Sequence, residues 1–333
     1  MGGFDRERDV AAEAVVAAAR LTAAVRAERV DPAPLAKADR SPVTIADFGS
    51  QAVICQRLRA AFPADAIVGE EDADALRAPD GAATLAAVTA QVQRLLPHAS
   101  AADVCDWIDA GGGAVGRRFW TLDPIDGTKG FLRNDQYAIA LALVVDGRVE
   151  VGALACPALP LAAGRPGTAP GTLFVAARGQ GATMAALAAG GPAAAVPIHV
   201  VRGAAGPALR FAESIESAHS DQDRHAVLAR AIGIAAAPLR MDSQAKYGAL
   251  ARGDAALYLR LPSPRTPDYR EKIWDHAAGS LIVEEAGGRV TDAEGRPLDF
   301  AGGRAMTGNR GVVASNGELH ERVLAALGFH EQP

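Results

Sequence analysis

The chain is poor in cysteine, aromatic residues and lysine. Its three cysteines, Cys55, Cys105 and Cys156, fit neither a metal-ligand spacing nor a disulfide framework. They read as reduced, mostly buried thiols of a cytoplasmic protein. Aromatics make up 5% of 333 residues while 49% are hydrophobic, so alanine and valine must do much of the packing. No apolar run of about 18 residues occurs, as a bilayer span would require. The opening residues Met1 to Asp9 are charged where a secretory signal needs its apolar core. A net charge of −5 argues against nucleic acid or an anionic membrane as the main partner, and nothing implies an obligate protein partner. Of 34 basic residues only four are lysine: Lys37, Lys129, Lys246 and Lys272. Each lies in a segment that also carries acids, hydroxyls or tryptophan, where a compact ammonium suits better than the wide fork of arginine.

What is present is an alternation of elements. Residues 5–29 read as an Ala-rich amphipathic helix, and a second helix runs from about Thr44, its N-cap, to Ala61. Ala66-Ile67-Val68 reads as a strand, 84–96 as helical, and 103–108 and 118–123 as extended. Runs at 136–145 and 148–156 meet at Asp146-Gly147, a type I′ hairpin signal. A strand at 172–177 follows a Gly/Pro/Ala loop. The Ala/Gly stretch 184–195 predicts a boundary between an N-terminal domain, 1–195, and a C-terminal domain, 196–333. Beyond it strands are expected at 197–202, 210–214, 237–241, 255–260, 289–291 and 311–315. Helices are expected at 221–232, 244–252 and 272–286 and from about 317, with Ser243 placed to cap the second of these. Helices must cover both sheets, which predicts an α/β (α+β) multilayer sandwich.

The chemistry sits in Trp120-Thr-Leu-Asp123-Pro-Ile-Asp126-Gly-Thr128. Strand-like residues lead up to Asp123, Pro124 forbids a simple continuation, and Gly127 frees the backbone to turn. Two acids on a stiff turn, with the Ile125 carbonyl between them, form an oxygen-rich site for a hard cation. Further acids stand at element ends: Asp47 in the first turn of the second helix, Glu70 after a strand, and Asp275 at a helix start. Asp47 and Asp275 are also explained as first-turn acids favoured by the helix dipole. Five such carboxylates side by side cannot all ionise without cations. Carboxylates and a carbonyl suit Mg²⁺, and two such ions can clamp the attacking and leaving oxygens of an in-line phosphoryl transfer. Thr128 could then orient a metal-bound water with Asp47 accepting from its hydroxyl, while N–H groups at the Gly127 turn hold phosphate oxygens.

Taken together, Gly69-Glu-Glu71, Asp123–Thr128 and Trp274-Asp275 resemble the lithium-sensitive, magnesium-dependent phosphatases related to inositol monophosphatase and fructose-1,6-bisphosphatase. Longer strings resemble its 3′(2′),5′-bisphosphate nucleotidase branch. These are Asp123–Arg133, Glu213–Ser220, Met241–Tyr247, Tyr258–Pro262, Glu271–Gly279 and Gly311–Ser315. Asn134 stands where that pattern has glycine. The resemblance implies the αβαβα sandwich of inositol monophosphatase. It implies Mg²⁺ held by Glu70, Asp123 and the Ile125 carbonyl, a second ion held by Asp123, Asp126 and Asp275, and leaves open a third, looser ion near Glu70. Asp47 and Thr128 would activate water, and His219, Ser243, Lys246 and Arg260 would contact a small-molecule nucleotide substrate. Spacing alone sets Lys246 three residues after Ser243 at one helix start.

The expected activity is removal of the 3′-phosphate of adenosine 3′,5′-bisphosphate, giving AMP and phosphate. Action on 3′-phosphoadenylyl sulfate would tie it to sulfate assimilation. The alternatives are an inositol or sugar-phosphate phosphatase with the same metal site, and, in another class, an inactive nucleotide-binding sensor.

Overall fold

The computed structural model describes residues 3–28, 35–36, 42–161, 171–187, 195–203, 209–215, 222–262 and 269–328. His219 and Lys37 lie outside the described residues. The N-terminal part runs α1 (Asp5–Ala27), β1 (Leu35–Ala36), β2 (Pro42–Val43), α2 (Ile45–Ala61) and β3 (Ala66–Gly69). Three helices follow, α3 (Asp74–Arg77), α4 (Ala82–Gln93) and α5 (Ala101–Asp109). Then come β4 (Arg118–Asp126), α6 (Thr128–Leu132), β5 (Ala138–Val145), β6 (Arg148–Cys156), β7 (Thr172–Ala177) and β8 (Ala182–Ala186). The remainder comprises β9 (Val196–Ile198), β10 (Phe211–Glu213), α7 (Gln222–Ala231), β11 (Leu239–Arg240), α8 (Ala245–Ala251) and β12 (Leu257–Arg260). A 3₁₀ turn (Ile273–Asp275), α9 (Ala277–Glu285), β13 (Arg289–Thr291), β14 (Val312–Ser315) and α10 (His320–Leu327) complete it.

Strands β3 to β9 form a seven-stranded sheet in chain order, antiparallel except for the β3–β4 pair. A five-stranded sheet has the order β11-β10-β12-β14-β13, with β10 parallel to both its neighbours. Helices α1 and α2 cover one face of the larger sheet through a core of Ala14, Val15, Phe48 and Trp120. Helices α8 and α9 lie between the sheets, where Tyr247, Ala278 and Leu281 pack with Phe174 and Tyr258. On the outer face of the smaller sheet, Leu228 of α7 and Val323 of α10 close a third core with Leu257. The layers are α, β, α, β, α, the expected sandwich.

Four local expectations change. Residues 103–108 are helical within α5. Ser100 and Asp103 form a capping box that satisfies the first N–H groups, and Val104, Cys105 and Ile108 make the buried stripe. The seven-stranded sheet also reaches past residue 195, because β9 pairs antiparallel with β8. The expected helix 272–286 is two elements, broken at His276, so Asp275 ends a 3₁₀ turn and does not open α9. Pro124, finally, does not end its strand: β4 runs on through it as an irregularity. The hairpin at Asp146-Gly147 has positive φ at both residues, 49° and 76°, as a type I′ turn requires.

Candidate active site

The irregularity in β4 sets the geometry. Asp123 lies opposite Ala140 and Asp126 opposite Ala138, so three steps on β4 match two on β5. Side chains alternate along a strand, and acids three apart would face opposite sides. The extra residue of the bulge returns Asp126 to the face of Asp123. Their cross-strand neighbours are alanines, which leave room beside the carboxylates. Pro124, without an N–H, costs the ladder nothing there, and the Ile125 N–H donates to Asp123 Oδ1 at 3.1 Å.

One stripe of α2 holds the surrounding loops. Asp47 is buried, and its Oδ2 closes a capping box with the Thr44 N–H and hydroxyl. Its other oxygen, Oδ1, lies 3.5 Å from Thr128 Oγ1, whose single proton is shared between that carboxylate and the nearer Ile125 carbonyl at 3.2 Å. Asp47 is therefore both a helix-capping residue and a neighbour of Thr128. Ser50 donates to the Pro124 carbonyl at 2.8 Å. Gln51 donates to the Glu71 and Ile108 carbonyls and accepts from the Glu71 N–H. Positions 47, 50 and 51 share a helix face, so α2 grips the Asp123–Thr128 turn and the Glu70 loop together.

Across the site, Gly127 (φ 87°) meets Ser243 (φ 68°). A Cβ on Gly127 would stand 3.0 Å from the Ser243 Cβ, so the left-handed turn and the close approach both call for glycine. Ser243 does not cap α8, whose N-cap is Gln244; its Oγ accepts from the Ala245 N–H at 3.2 Å. The Gln244 N–H donates to Asp126 Oδ2 at 2.6 Å. The Gln244 side chain bridges the Trp274 carbonyl and the Gly279 N–H, tying this turn to the Asp275 segment. Asn134 has φ 60°, which explains why glycine is dispensable there: asparagine tolerates this region best among residues with a Cβ.

Lys246, expected at the nucleotide, is almost wholly enclosed. It is only 2% exposed, with its ammonium 3.4 Å from the Met241 carbonyl and 5.2 Å from the Tyr258 ring centre. Burial lowers its pKa to about 8 against the pull of Asp126. Arg260 binds Glu271 at 2.9 Å and the Tyr269 hydroxyl at 3.3 Å. Burial alone would raise Glu271, but Arg260 and the His276 hydrogen bond hold it down at about 2.

Burial raises the carboxyl of Asp126, opposed by Lys246. It raises Asp275 further, and repulsion from Asp126 adds to that, with smaller contributions from Glu271 and Glu70. Ionised, these groups need a cation, and a donor set of carboxylates with the Ile125 carbonyl fits a hard one such as Mg²⁺. Among the described residues, Glu271, Asp275 and His276 bring ligand-type atoms within 4.8 Å of one another, whereas Glu70, Asp123 and Asp126 do not join so compact a set. Both His276 nitrogens already hydrogen-bond, to Tyr247 at 2.8 Å and Glu271 at 3.0 Å, which marks His276 as scaffold. Gln51 lies in no quoted motif, and Gln244, Glu271 and His276 lie within the longer strings without an assigned role. Gln51 alone carries a sequence signal, a polar side chain within the largely buried helix α2.

No helix of the described residues is long and apolar enough to cross a membrane. The inositol monophosphatase family model matches residues 6–332. The 3′(2′),5′-bisphosphate nucleotidase of Schizosaccharomyces pombe is 44% identical over 97% of this chain and 95% of that protein. That of Oryza sativa is also 44% identical, over 97% and 94%. Among solved structures, an inositol monophosphatase from Anabaena superposes with a TM-score of 0.62 at 20% identity, covering 98% of this chain and 96% of that one. An IMPase of Thermotoga maritima does so at 0.65 and 21%, covering 97% of each. The five-layer fold, the motif order and relatives matched along almost their whole length agree, and the chain belongs to the inositol monophosphatase family, on its 3′(2′),5′-bisphosphate nucleotidase branch.

Proposed function

We propose that this enzyme hydrolyses the 3′-phosphate of adenosine 3′,5′-bisphosphate to AMP and phosphate in a Mg²⁺-dependent reaction, with 3′-phosphoadenylyl sulfate as a further substrate. The bulge that turns Asp123 and Asp126 to one face, opposite the Ser243–Lys246 turn, carries this reading. Glu70, Asp123, the Ile125 carbonyl, Asp126 and Asp275 would hold two Mg²⁺ ions. Bound there, Mg²⁺ supplies positive charge to the phosphoryl oxygens and the leaving group.

The chain's own groups do the rest. Thr128, anchored by Asp47 Oδ1, orients the attacking water, and Asp47 steadies that hydroxyl because its other oxygen is committed to Thr44. The water oxygen bonds to phosphorus, the phosphorus–O3′ bond breaks, and the water's proton ends on the 3′ oxygen. N–H groups at the Gly127–Thr128 turn hold phosphate oxygens. Ser243, Lys246, Arg260 and His219 hold the nucleotide, Lys246 as a desolvated cation at the floor of the site.

A charge-assisted contact to the 5′-phosphate contributes about 1.5–3 kcal/mol. Lys246→Ala should then lower kcat/KM for the bisphosphate about 10- to 100-fold and leave 3′-AMP, which lacks that phosphate, nearly unchanged. Phosphate release across a panel of esters checks this. Equal losses on both nucleotides place Lys246 in the scaffold, and wild-type preference for inositol 1-phosphate overturns the substrate.

A further inference from the structure

Glu70 and Asp275 come from segments 205 residues apart in the chain, and one residue outside the acid set joins them. Arg304 donates from Nη2 to the Gly69 carbonyl, the peptide from which Glu70 departs. The same guanidinium lies 4.9 Å from the centre of the Trp274 ring, next to Asp275. Its backbone carbonyl accepts from the Ile273 N–H at 3.1 Å, and Lys272 and Ala305 form an antiparallel bridge beside it. The Glu70 loop is already seated from the other side. A Cβ on Gly69 would stand 2.7 Å from Gln51 Oε1, and Gln51 holds both polar groups of the Glu71 backbone.

We propose that Arg304 is a positioning residue for the cation site: by bracing the Gly69–Glu70 peptide against Trp274 it sets the spacing of Glu70 from Asp275. This rests on the reading of those acids as Mg²⁺ ligands. Charge and geometry predict opposite signs for its removal. Arg304 feels Asp72 and Glu70 electrostatically, so as a bare charge it competes with a bound cation, and deleting it would tighten cation binding. As a brace it pre-forms the site, and deleting it loosens binding. Outer-shell partners of metal ligands commonly change affinity about 10- to 100-fold.

The experiment titrates Mg²⁺ into the full-length protein without substrate, by calorimetry, alongside melting temperature in chelator. Arg304 is exposed, so Arg304→Ala should melt like wild type. The expected result is at least about tenfold weaker Mg²⁺ binding in Arg304→Ala. Arg304→Met, which keeps the alkyl cover over Trp274 without the donor, should weaken it almost as much. Arg304→Lys should recover part of the loss. Arg289→Ala, which breaks an exposed ion pair with Glu321, is the control and should bind like wild type. Unchanged or tighter Mg²⁺ binding in Arg304→Ala overturns the brace while the acid assignment stands. Absence of Mg²⁺ binding in wild type overturns both.

Discussion

Asp275 as an anion works against the fold that holds it, since burial and the neighbouring Asp126 both raise its carboxyl. A group whose folded pKa is raised above its unfolded value destabilises the native state once pH exceeds that unfolded value. Asp275→Asn removes the charge at nearly constant volume. In chelator at pH 7.5 its melting temperature should therefore exceed that of wild type, while phosphate release falls by about 10³-fold or more. A lower melting temperature in the variant would mean the carboxylate is stabilised by partners that offset its burial. At this scale the clustering of Asp123, Asp126 and Thr128 on one turn beside Asp47 was legible because their motif encodes it. Gln51 and Gln244 were not: each acts through hydrogen bonds to backbone that is distant in sequence, and glutamine leaves no pattern for that. Lys246 was singled out by its rarity, but its burial was invisible, since it packs against Tyr258 of β12.

Among the elements, the long periodic helices and the Asp146-Gly147 hairpin followed from their residues, whereas short ones depended on tertiary partners. Residues 103–108 read as strand because six residues sample too little of either period; the Ser100–Asp103 box decides for helix. His276 interrupts the expected helix because Tyr247 and Glu271 each claim one ring nitrogen. A second histidine anchors the terminal helix. His320 in α10 bonds the Thr291 hydroxyl at 2.9 Å and the Ser315 hydroxyl at 2.8 Å, which joins α10 to β13 and β14. Burial lowers its pKa to about 4, and Arg289 adds to this. The native state thus keeps His320 neutral while the unfolded chain takes up its proton near pH 6.5. Stability is lost as pH falls through the window from about 6.5 to 4, by about 2 kcal/mol between pH 7 and 4.5. Urea unfolding at both pH values should show that loss in wild type. His320→Gln should show a shallower dependence; parallel slopes would remove His320 as the source.

The molecule as a whole is a five-layer sandwich built largely from alanine and valine; its multilayer α/β character was legible because alternating elements admit few other packings, while the five-layer order came from the family resemblance. The place where the first sheet ends was less so: β9 joins β8 through edge pairing that Ala/Gly-rich sequence scarcely marks. Substitution of Gly49 probes how the layers act together. On the side of α2 facing α1, a Cβ at Gly49 would stand 2.9 Å from Leu21 Cδ2. Gly49→Ala should gain about 1 kcal/mol of helix propensity but lose about 1–3 kcal/mol by crowding the buried Leu21 side chain, a net loss of about 1 kcal/mol read as a slightly lower urea midpoint. It should also depress turnover, although Gly49 touches no reacting group, and Leu21→Val in the same chain should restore part of both.

That expectation comes from how α2 is wired. Asp47, Ser50 and Gln51 connect one rigid rod to the Thr128 hydroxyl, the Pro124 carbonyl and the Glu71 backbone. A rod fixed at three points cannot roll without shifting all three, so the Asp47–Thr128 pair, proposed to orient water, and the loop carrying Glu70 share a single mechanical degree of freedom. Errors there are correlated: a methyl group wedged behind the helix displaces the Thr128 hydroxyl and the Glu70 loop together, and no adjustment of one alone can restore the other.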